Sequence, residues 1–159
     1  MTQHRIRPAR FPDDADTIRA LFREYADWLG KDLDFQGFEA ELAGLPGKYA
    51  EPQGICLIAE DADGVALGCV AMRPLDAQTC EMKRLYLRPA ARGLGLGRAL
   101  SAAILEAAKS AGYQRMVLDT LTSLDSAIRI YERQGFQRIE AYYPNPLPDV
   151  IYLGLRLQP

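Results

Sequence analysis

The chain has 159 residues, of which 48% are hydrophobic and 25% are charged, and its formal net charge at pH 7 is −2. This length and composition are typical of one globular domain with a full core, and they do not indicate a disordered chain. The mildly acidic balance argues against a dedicated nucleic-acid-binding protein, which ordinarily carries a basic stripe.

The first ten residues are polar and contain no apolar stretch of signal-peptide length. The longest apolar run, residues 65–72, is too short to span a bilayer. Three cysteines, Cys56, Cys69 and Cys80, lie in apolar segments without C-x-x-C spacing, which is typical of buried free thiols. We therefore predict a cytoplasmic protein with no membrane partner and no disulfide framework.

The first half of the chain predicts two helices and four strands. A turn and a helix N-cap at residues 11–14 follow a short strand at residues 6–8. Apolar residues at helical spacing, from Ile18 to Leu29, predict an amphipathic helix over residues 14–29. A shorter helix is expected at residues 35–42, and strands at residues 55–60, 66–73 and 79–87.

The second half alternates helices with strands. Residues 95–111 predict an alanine-rich helix that Gly112 ends, and residues 125–134 predict another helix. Strands are expected at residues 116–118, 136–139 and 150–157, and the first of these is apolar on both faces, hence interior. The fold class is therefore mixed α/β (α+β), in a single domain over residues 1–159, with neither a pure βαβ series nor an antiparallel meander.

The most informative segment is Arg92-Gly93-Leu94-Gly95-Leu96-Gly97-Arg98, between a predicted strand and the alanine-rich helix. Three alternate glycines let an anion approach the main chain closely, and a helix N-terminus offers unpaired N–H groups. Arginines cluster around this run, at positions 84, 88, 92 and 98. The segment predicts a phosphate site, although a tight turn without a ligand is an alternative.

Two familiar phosphate motifs do not fit this run. A Walker A loop would need Gly-Lys-Ser/Thr, which is missing, and a dinucleotide fingerprint would need a third glycine where Arg98 stands. The chain before the run is also a series of strands rather than a βαβ unit.

Residues 81–97, ending in the Arg92-x-x-Gly95-x-Gly97 pattern, resemble the central motif of the GNAT acetyltransferases, Gln/Arg-x-x-Gly-x-Gly/Ala. About 30 residues further on, Tyr131-x-x-x-Gly135-Phe136 resembles the second signature of that family. The resemblance covers nearly the whole chain. It implies a GNAT fold with a mixed, mostly antiparallel sheet of six or seven strands and about four helices.

The resemblance also implies acetyl-CoA as cosubstrate and a primary amine of a small molecule or peptide as acceptor, with direct transfer in a ternary complex. A homodimer is compatible with it. The pyrophosphate would lie on the backbone amides of residues 92–99, and the pantetheine arm along residues 85–87. The implied cofactor-binding residues are Leu85, Leu87, Arg92, Gly93, Leu94, Gly95, Leu96, Gly97, Arg98 and Ala99.

The resemblance implies two catalytic residues. Glu81 matches the strand position of a base glutamate, acting directly or through water, although a salt-bridged glutamate is the alternative. Tyr131 matches the tyrosine that hydrogen-bonds the CoA sulfur and can protonate it, although a core aromatic is the alternative. Leu124 stands where the family often has an asparagine, so that hydrogen bond is lost or moves to Ser123, Asp125 or Ser126.

The acceptor pocket is expected from residues 28–49 and 142–149. These segments carry acidic and aromatic residues that suit a cationic amine, although a solvated acidic face fits as well: Asp32, Asp34, Glu39, Glu41, Tyr142, Tyr143, Asn145 and Asp149. His4 is the only histidine and no ligand cluster is present, so no metal is predicted. A non-catalytic acyl-CoA-binding sensor is the second functional hypothesis.

Overall fold

The computed structural model describes residues 3–33 and 37–157. The strands are β1 (His4–Pro8), β2 (Ile55–Asp61), β3 (Ala66–Pro74), β4 (Thr79–Leu87), β5 (Arg115–Leu121), β6 (Gln137–Ile139) and β7 (Val150–Arg156). The helices are α1 (Ala15–Leu29), α2 (Phe38–Ala43), α3 (Leu96–Ser110) and α4 (Asp125–Arg133). This element order is the predicted one.

The seven strands form one sheet in the order β1-β2-β3-β4-β5-β7-β6. Neighbouring strands are antiparallel except for β4 and β5, which run parallel. Strand β5 pairs with β4 on one side and β7 on the other, so its predicted interior place is confirmed. The mostly antiparallel seven-stranded sheet with four helices confirms the predicted fold class.

The helices cover the two faces of the sheet and form two separate cores. On one face, Leu100 and Ile104 of α3 pack in a cluster with Met116 of β5. On the other face, Ile18 and Phe22 of α1 are fully buried in a second cluster. Burying such side chains contributes about 1.5–3 kcal/mol each, so these apolar stripes hold the helices on the sheet.

One local expectation needs correction, and two are confirmed. Asp14 is the N-cap residue of α1, as expected, although its side chain does not bond the helix amides; its carboxylate accepts hydrogen bonds from Arg7 and from the amide of Arg10. The second helix begins at Phe38 rather than at residue 35; residues 35 and 36 lie outside the described residues. The three cysteines are buried and free, as predicted.

Strands β4 and β5 part after three residue pairs. Their pairing ends at Glu81 and Val117. Just beyond, β4 carries a bulge opposite Val70, at which Arg84 has a φ of +63°. A bulge bends its strand and increases the local twist. The remaining residues of β4 therefore diverge from β5, and a gap opens in the middle of the sheet.

Candidate functional site

A groove of about 600 Å³ runs past the end of β4, the glycine run and α4; we call it the outer groove. Of its 14 lining residues, seven were predicted to bind the cofactor and seven were not. The seven predicted residues are Leu85, Leu87, Arg92, Gly93, Gly95, Gly97 and Arg98. The outer groove therefore lies where the glycine run predicted a ligand.

The glycine run presents a row of unpaired backbone donors. Among the described residues, the amides of residues 93–98 donate no hydrogen bond, whereas the Ala99 amide donates to the Gly95 carbonyl oxygen at 3.1 Å. Gly93 and Gly95 adopt φ values of +82° and +80°, which only glycine adopts at low cost. These amides, with the N-terminus of α3 behind them, fit a pyrophosphate. Ala99 contributes its amide to the helix instead.

The predicted cofactor residues differ in what their side chains do. Leu96 is buried in the core against the sheet, so that only its backbone faces the run, whereas Leu94 is 54% exposed. Leu85 and Leu87 line the outer groove and also pack against the core, so contact with a pantetheine arm stays a prediction for both residues.

The arginine cluster expected around the glycine run is divided by the fold. Arg84 is buried and forms a bidentate ion pair with Glu41, and Arg88 forms one with Glu24, so neither lines the outer groove. The reason is that alternation and the bulge in β4 direct these side chains to the α1 and α2 face.

Arg92 and Arg98 line the outer groove, where Arg129 and Arg133 of α4 join them. The guanidinium carbon of Arg92 lies 5.2 Å from the ring centroid of Trp28, which also lines the groove. Sequence analysis missed the two α4 arginines, because a helix position alone does not tell which groove the helix borders. The basic side chains lie where an anionic ligand would sit.

Where β4 and β5 part, a second cavity of about 60 Å³ lies between them; we call it the inner cavity. Leu85, Trp28 and Ala127 line both cavities, so the inner cavity and the outer groove are neighbours. Tyr131 lines the inner cavity and is 5% exposed. Burial raises the pKa of its hydroxyl well above the ordinary value, so this phenol is a proton-bearing group.

Glu81 is buried and closed off from both cavities. One of its oxygens accepts a hydrogen bond from Arg73 Nε at 2.9 Å, and the other accepts one from the Tyr142 hydroxyl at 2.6 Å. It lines neither the inner cavity nor the outer groove. The structure thus places Glu81 beside the site, as an ion-paired glutamate within reach of Tyr142.

A second carboxylate, which sequence analysis missed, lines the inner cavity. Asp119 lies on β5, two residues beyond the last pair with β4. It accepts hydrogen bonds from the Tyr143 hydroxyl and from Asn145 Nδ2. The one feature of the sequence that could have pointed to Asp119 is that it is a charged residue within the otherwise mostly apolar run of residues 116–121.

Lys83 of β4 also lines the inner cavity and is 5% exposed. Burial, followed by the charge of Arg84, lowers its pKa to about 8. The cavity therefore holds ionisable groups of both signs in a region where water screens charges poorly.

Two of the four acidic residues expected to form an acceptor pocket in residues 28–49 are ion-paired. Glu39 forms an exposed ion pair with Arg23, and Glu41 pairs with Arg84. Asp34 lies outside the described residues. The second segment does reach the site, since Tyr142, Tyr143 and Asn145 bond the two carboxylates described above.

Leu124 lines the inner cavity, whereas Ser126 lines the outer groove. Of the three residues that could replace the missing asparagine, Ser126 is thus the one at the groove. Within residues 3–33 and 37–157, no helix is long and apolar enough to cross a membrane. The same residues contain no group of three His, Cys, Asp or Glu side chains arranged to hold a metal ion.

Comparison with known proteins agrees with this geometry. Residues 16–136 match the model of the acetyltransferase (GNAT) family. An uncharacterized N-acetyltransferase of Schizosaccharomyces pombe is 46% identical over 153 residues, which cover 96% of this chain and 94% of that protein.

Solved structures share the fold at lower identity. An acetyltransferase of the GNAT family from Staphylococcus aureus superposes with a TM-score of 0.80 at 18% identity, covering 98% of this chain and 100% of that one. The yncA protein of Salmonella typhimurium, solved with its cofactor acetyl-CoA, has a TM-score of 0.74 at 22% identity, covering 98% and 94%. The chain therefore belongs to the GNAT family of acetyltransferases, enzymes that use acetyl-CoA.

Proposed function

We propose that this acetyltransferase moves the acetyl group of acetyl-CoA directly to a primary amine of a small molecule or peptide in a ternary complex. The observation that carries the proposal is the junction of the two cavities. A groove with four arginines, and with six amides that donate no hydrogen bond within the described part of the chain, meets at Leu85 a small cavity that holds Tyr131 and a carboxylate.

The donor would lie with its pyrophosphate on the amides of residues 93–98. Charge-assisted hydrogen bonds from amides and guanidinium groups suit this dianionic group. The pantetheine arm would follow Leu85 and Leu87 to the parting of β4 and β5. The thioester would then lie at the inner cavity, next to the Tyr131 hydroxyl.

Acetyl transfer needs a neutral amine, a polarised carbonyl and a proton for the departing thiolate. Tyr131 is proposed to donate a hydrogen bond to the sulfur and to supply that proton. Glu81 enters the proposal as a residue that acts through Tyr142, because both of its oxygens are already hydrogen-bonded and it does not line the inner cavity.

Substitution of Tyr131 by Phe tests the role of the hydroxyl. We expect kcat to fall by about tenfold to a hundredfold, since proton transfer by a positioned side chain is worth roughly that or more. The Kd for acetyl-CoA should change by less than about sixfold, because a single unmade hydrogen bond is worth only ~1 kcal/mol. Thiol release and isothermal titration calorimetry give the two values.

Tyr113→Phe is the matched control. Tyr113 is equally buried, but its hydroxyl donates to the carbonyl oxygen of Gln53 and it lines neither cavity. Its removal should leave kcat unchanged. If Tyr131→Phe turned over as fast as the Tyr113 variant, the proposed acid role would be wrong.

The alternative of a non-catalytic acyl-CoA sensor makes a different prediction. A sensor would bind acetyl-CoA but release no thiol with any member of a broad panel of primary amines. The enzyme is favoured because an ionisable network surrounds the inner cavity, where a sensor would need only a binding groove.

A further inference from the structure

The Asp119 carboxylate is held in a fixed orientation by side chains from the loop before β7. Its Oδ2 accepts hydrogen bonds from the Tyr143 hydroxyl and from Asn145 Nδ2, the latter at 2.9 Å. Asn145 is itself fixed, since its Oδ1 accepts the amide of Leu147. The Tyr152 hydroxyl donates to the carbonyl oxygen of Tyr143 at 2.8 Å, which ties the loop to β7.

The second oxygen of this carboxylate is differently placed. Asp119 Oδ1 accepts no hydrogen bond from residues 3–33 and 37–157, and Asp119 lines the inner cavity. Burial removes part of the hydration of a carboxylate, which costs free energy unless an opposite charge compensates for it. A half-buried carboxylate with an oxygen that accepts no hydrogen bond from these residues therefore favours a cationic ligand. Lys83 lines the same cavity, and its charge interacts with that of Asp119.

The other carboxylate near the site has no such oxygen. Both oxygens of Glu81 are engaged, by Arg73 and by Tyr142. The Tyr142 ring packs against that of Tyr143 with centroids 5.3 Å apart, so the Glu81 network supports the tyrosine that holds Asp119. Glu81 is therefore a residue that positions other side chains, whereas Asp119 has an oxygen that can contact the acceptor.

We propose that Asp119 Oδ1 binds the ammonium group of the acceptor and accepts its first proton, which makes Asp119 a catalytic residue of the proposed transfer. The inference rests on the proposed function. The inner cavity has a volume of about 60 Å³, which is room for roughly four water molecules. It therefore admits the end of an unbranched primary alkylamine and excludes a bulky secondary amine.

Asp119, Tyr131 and the acceptor nitrogen account for every proton in the proposed transfer. The ammonium gives one proton to Asp119, and the neutral nitrogen forms a C–N bond with the thioester carbonyl. The C–S bond breaks, its electron pair leaves on sulfur, and the thiolate takes a proton from the Tyr131 hydroxyl. The second nitrogen proton restores that hydroxyl, so the products are an amide, the free thiol and one proton held on Asp119.

The test compares two nucleophiles in the Asp119→Asn variant. One is the primary alkylamine that the wild-type enzyme uses fastest in the thiol-release screen, and the other is hydroxylamine, which is largely neutral at pH 7. We expect kcat/KM to fall by about a hundredfold or more with the alkylamine, the scale of lost general base catalysis, but by less than about tenfold with hydroxylamine.

Three measurements keep the outcomes distinct. Glu81→Gln, the control carboxylate, should lower the two rates by similar factors, because it positions other groups. Asp119→Asn rates equal to wild type, or lowered equally for both nucleophiles, would overturn the inference alone. A wild-type enzyme that releases no thiol with any amine would instead overturn the proposed function and, with it, this inference.

If Asp119→Asn fails to fold, as judged by thermal unfolding and acetyl-CoA binding, Tyr143→Phe takes its place. Loss of one hydrogen bond to Oδ2 should lower the alkylamine rate by about three- to tenfold, with a smaller effect on hydroxylamine. Wild-type rates in that variant would also refute the role of Asp119.

Discussion

Substitution of Gly95 by Ala separates the conformational role of the glycine run from its role in binding. Gly95 has a φ of +80°, and a Cβ placed on it would meet no atom within 4 Å. Because that open space belongs to the outer groove, the added methyl group would occupy the surface proposed for the pyrophosphate. We expect a modest loss of stability and a larger loss of acetyl-CoA affinity.

The structure supplies a matched control in Gly64, in the turn between β2 and β3. It has a φ of +83° and equally open surroundings, but it lies away from both cavities. A side chain in the left-handed region costs roughly 1–2 kcal/mol, so both variants should lose about that much free energy of unfolding. Urea denaturation followed by circular dichroism measures this loss.

Of the two substitutions, only Gly95→Ala should lower the affinity for acetyl-CoA. A hydrogen bond to a charged group is worth about 1.5–3 kcal/mol, so loss of one amide–phosphate contact should raise the Kd for acetyl-CoA about tenfold to a hundredfold. Gly64→Ala should bind acetyl-CoA like the wild type in isothermal titration calorimetry. Wild-type affinity in Gly95→Ala, or an equal loss in the two variants, would refute the assignment of the phosphate to the glycine run.

Two further predictions concern buried charges. The pKa of Lys83 is lowered from 10.5 to about 8, so the destabilisation it causes is present below pH 8 and is relieved as the pH rises toward 10.5. The free energy of unfolding of the wild type, relative to that of Lys83→Met, should therefore rise by up to about 3 kcal/mol over that pH interval. Urea titrations at several pH values measure this difference. A difference that does not change with pH would contradict the prediction. Glu41→Leu should lower the free energy of unfolding by about 3–5 kcal/mol, because it leaves the buried Arg84 guanidinium without this partner. The double variant Glu41→Leu with Arg84→Met should lose much less free energy of unfolding. Equal losses in the single and double variants, measured by chemical denaturation, would show that the broken ion pair is not the cause.

The candidate site was predictable where its residues follow one another in the chain. The glycine run combines its own backbone freedom with the helix that follows it, so the proposed phosphate site could be predicted without tertiary information. Tyr131 was identified through its neighbours Gly135 and Phe136. Asp119 was not identified, because its role depends on Tyr143 and Asn145, more than 20 residues away.

By itself, the sequence determined the order and type of the elements, because the periodicity of apolar residues and the positions of glycine and proline act over a few residues. Only the tertiary structure decided where β4 and β5 part, since their pairing joins residues that are 36 positions apart in the chain. That parting opens the inner cavity beside the outer groove. It also decided which arginines face the outer groove, that Glu81 is held by Arg73 and Tyr142, and that Asp119 faces the inner cavity.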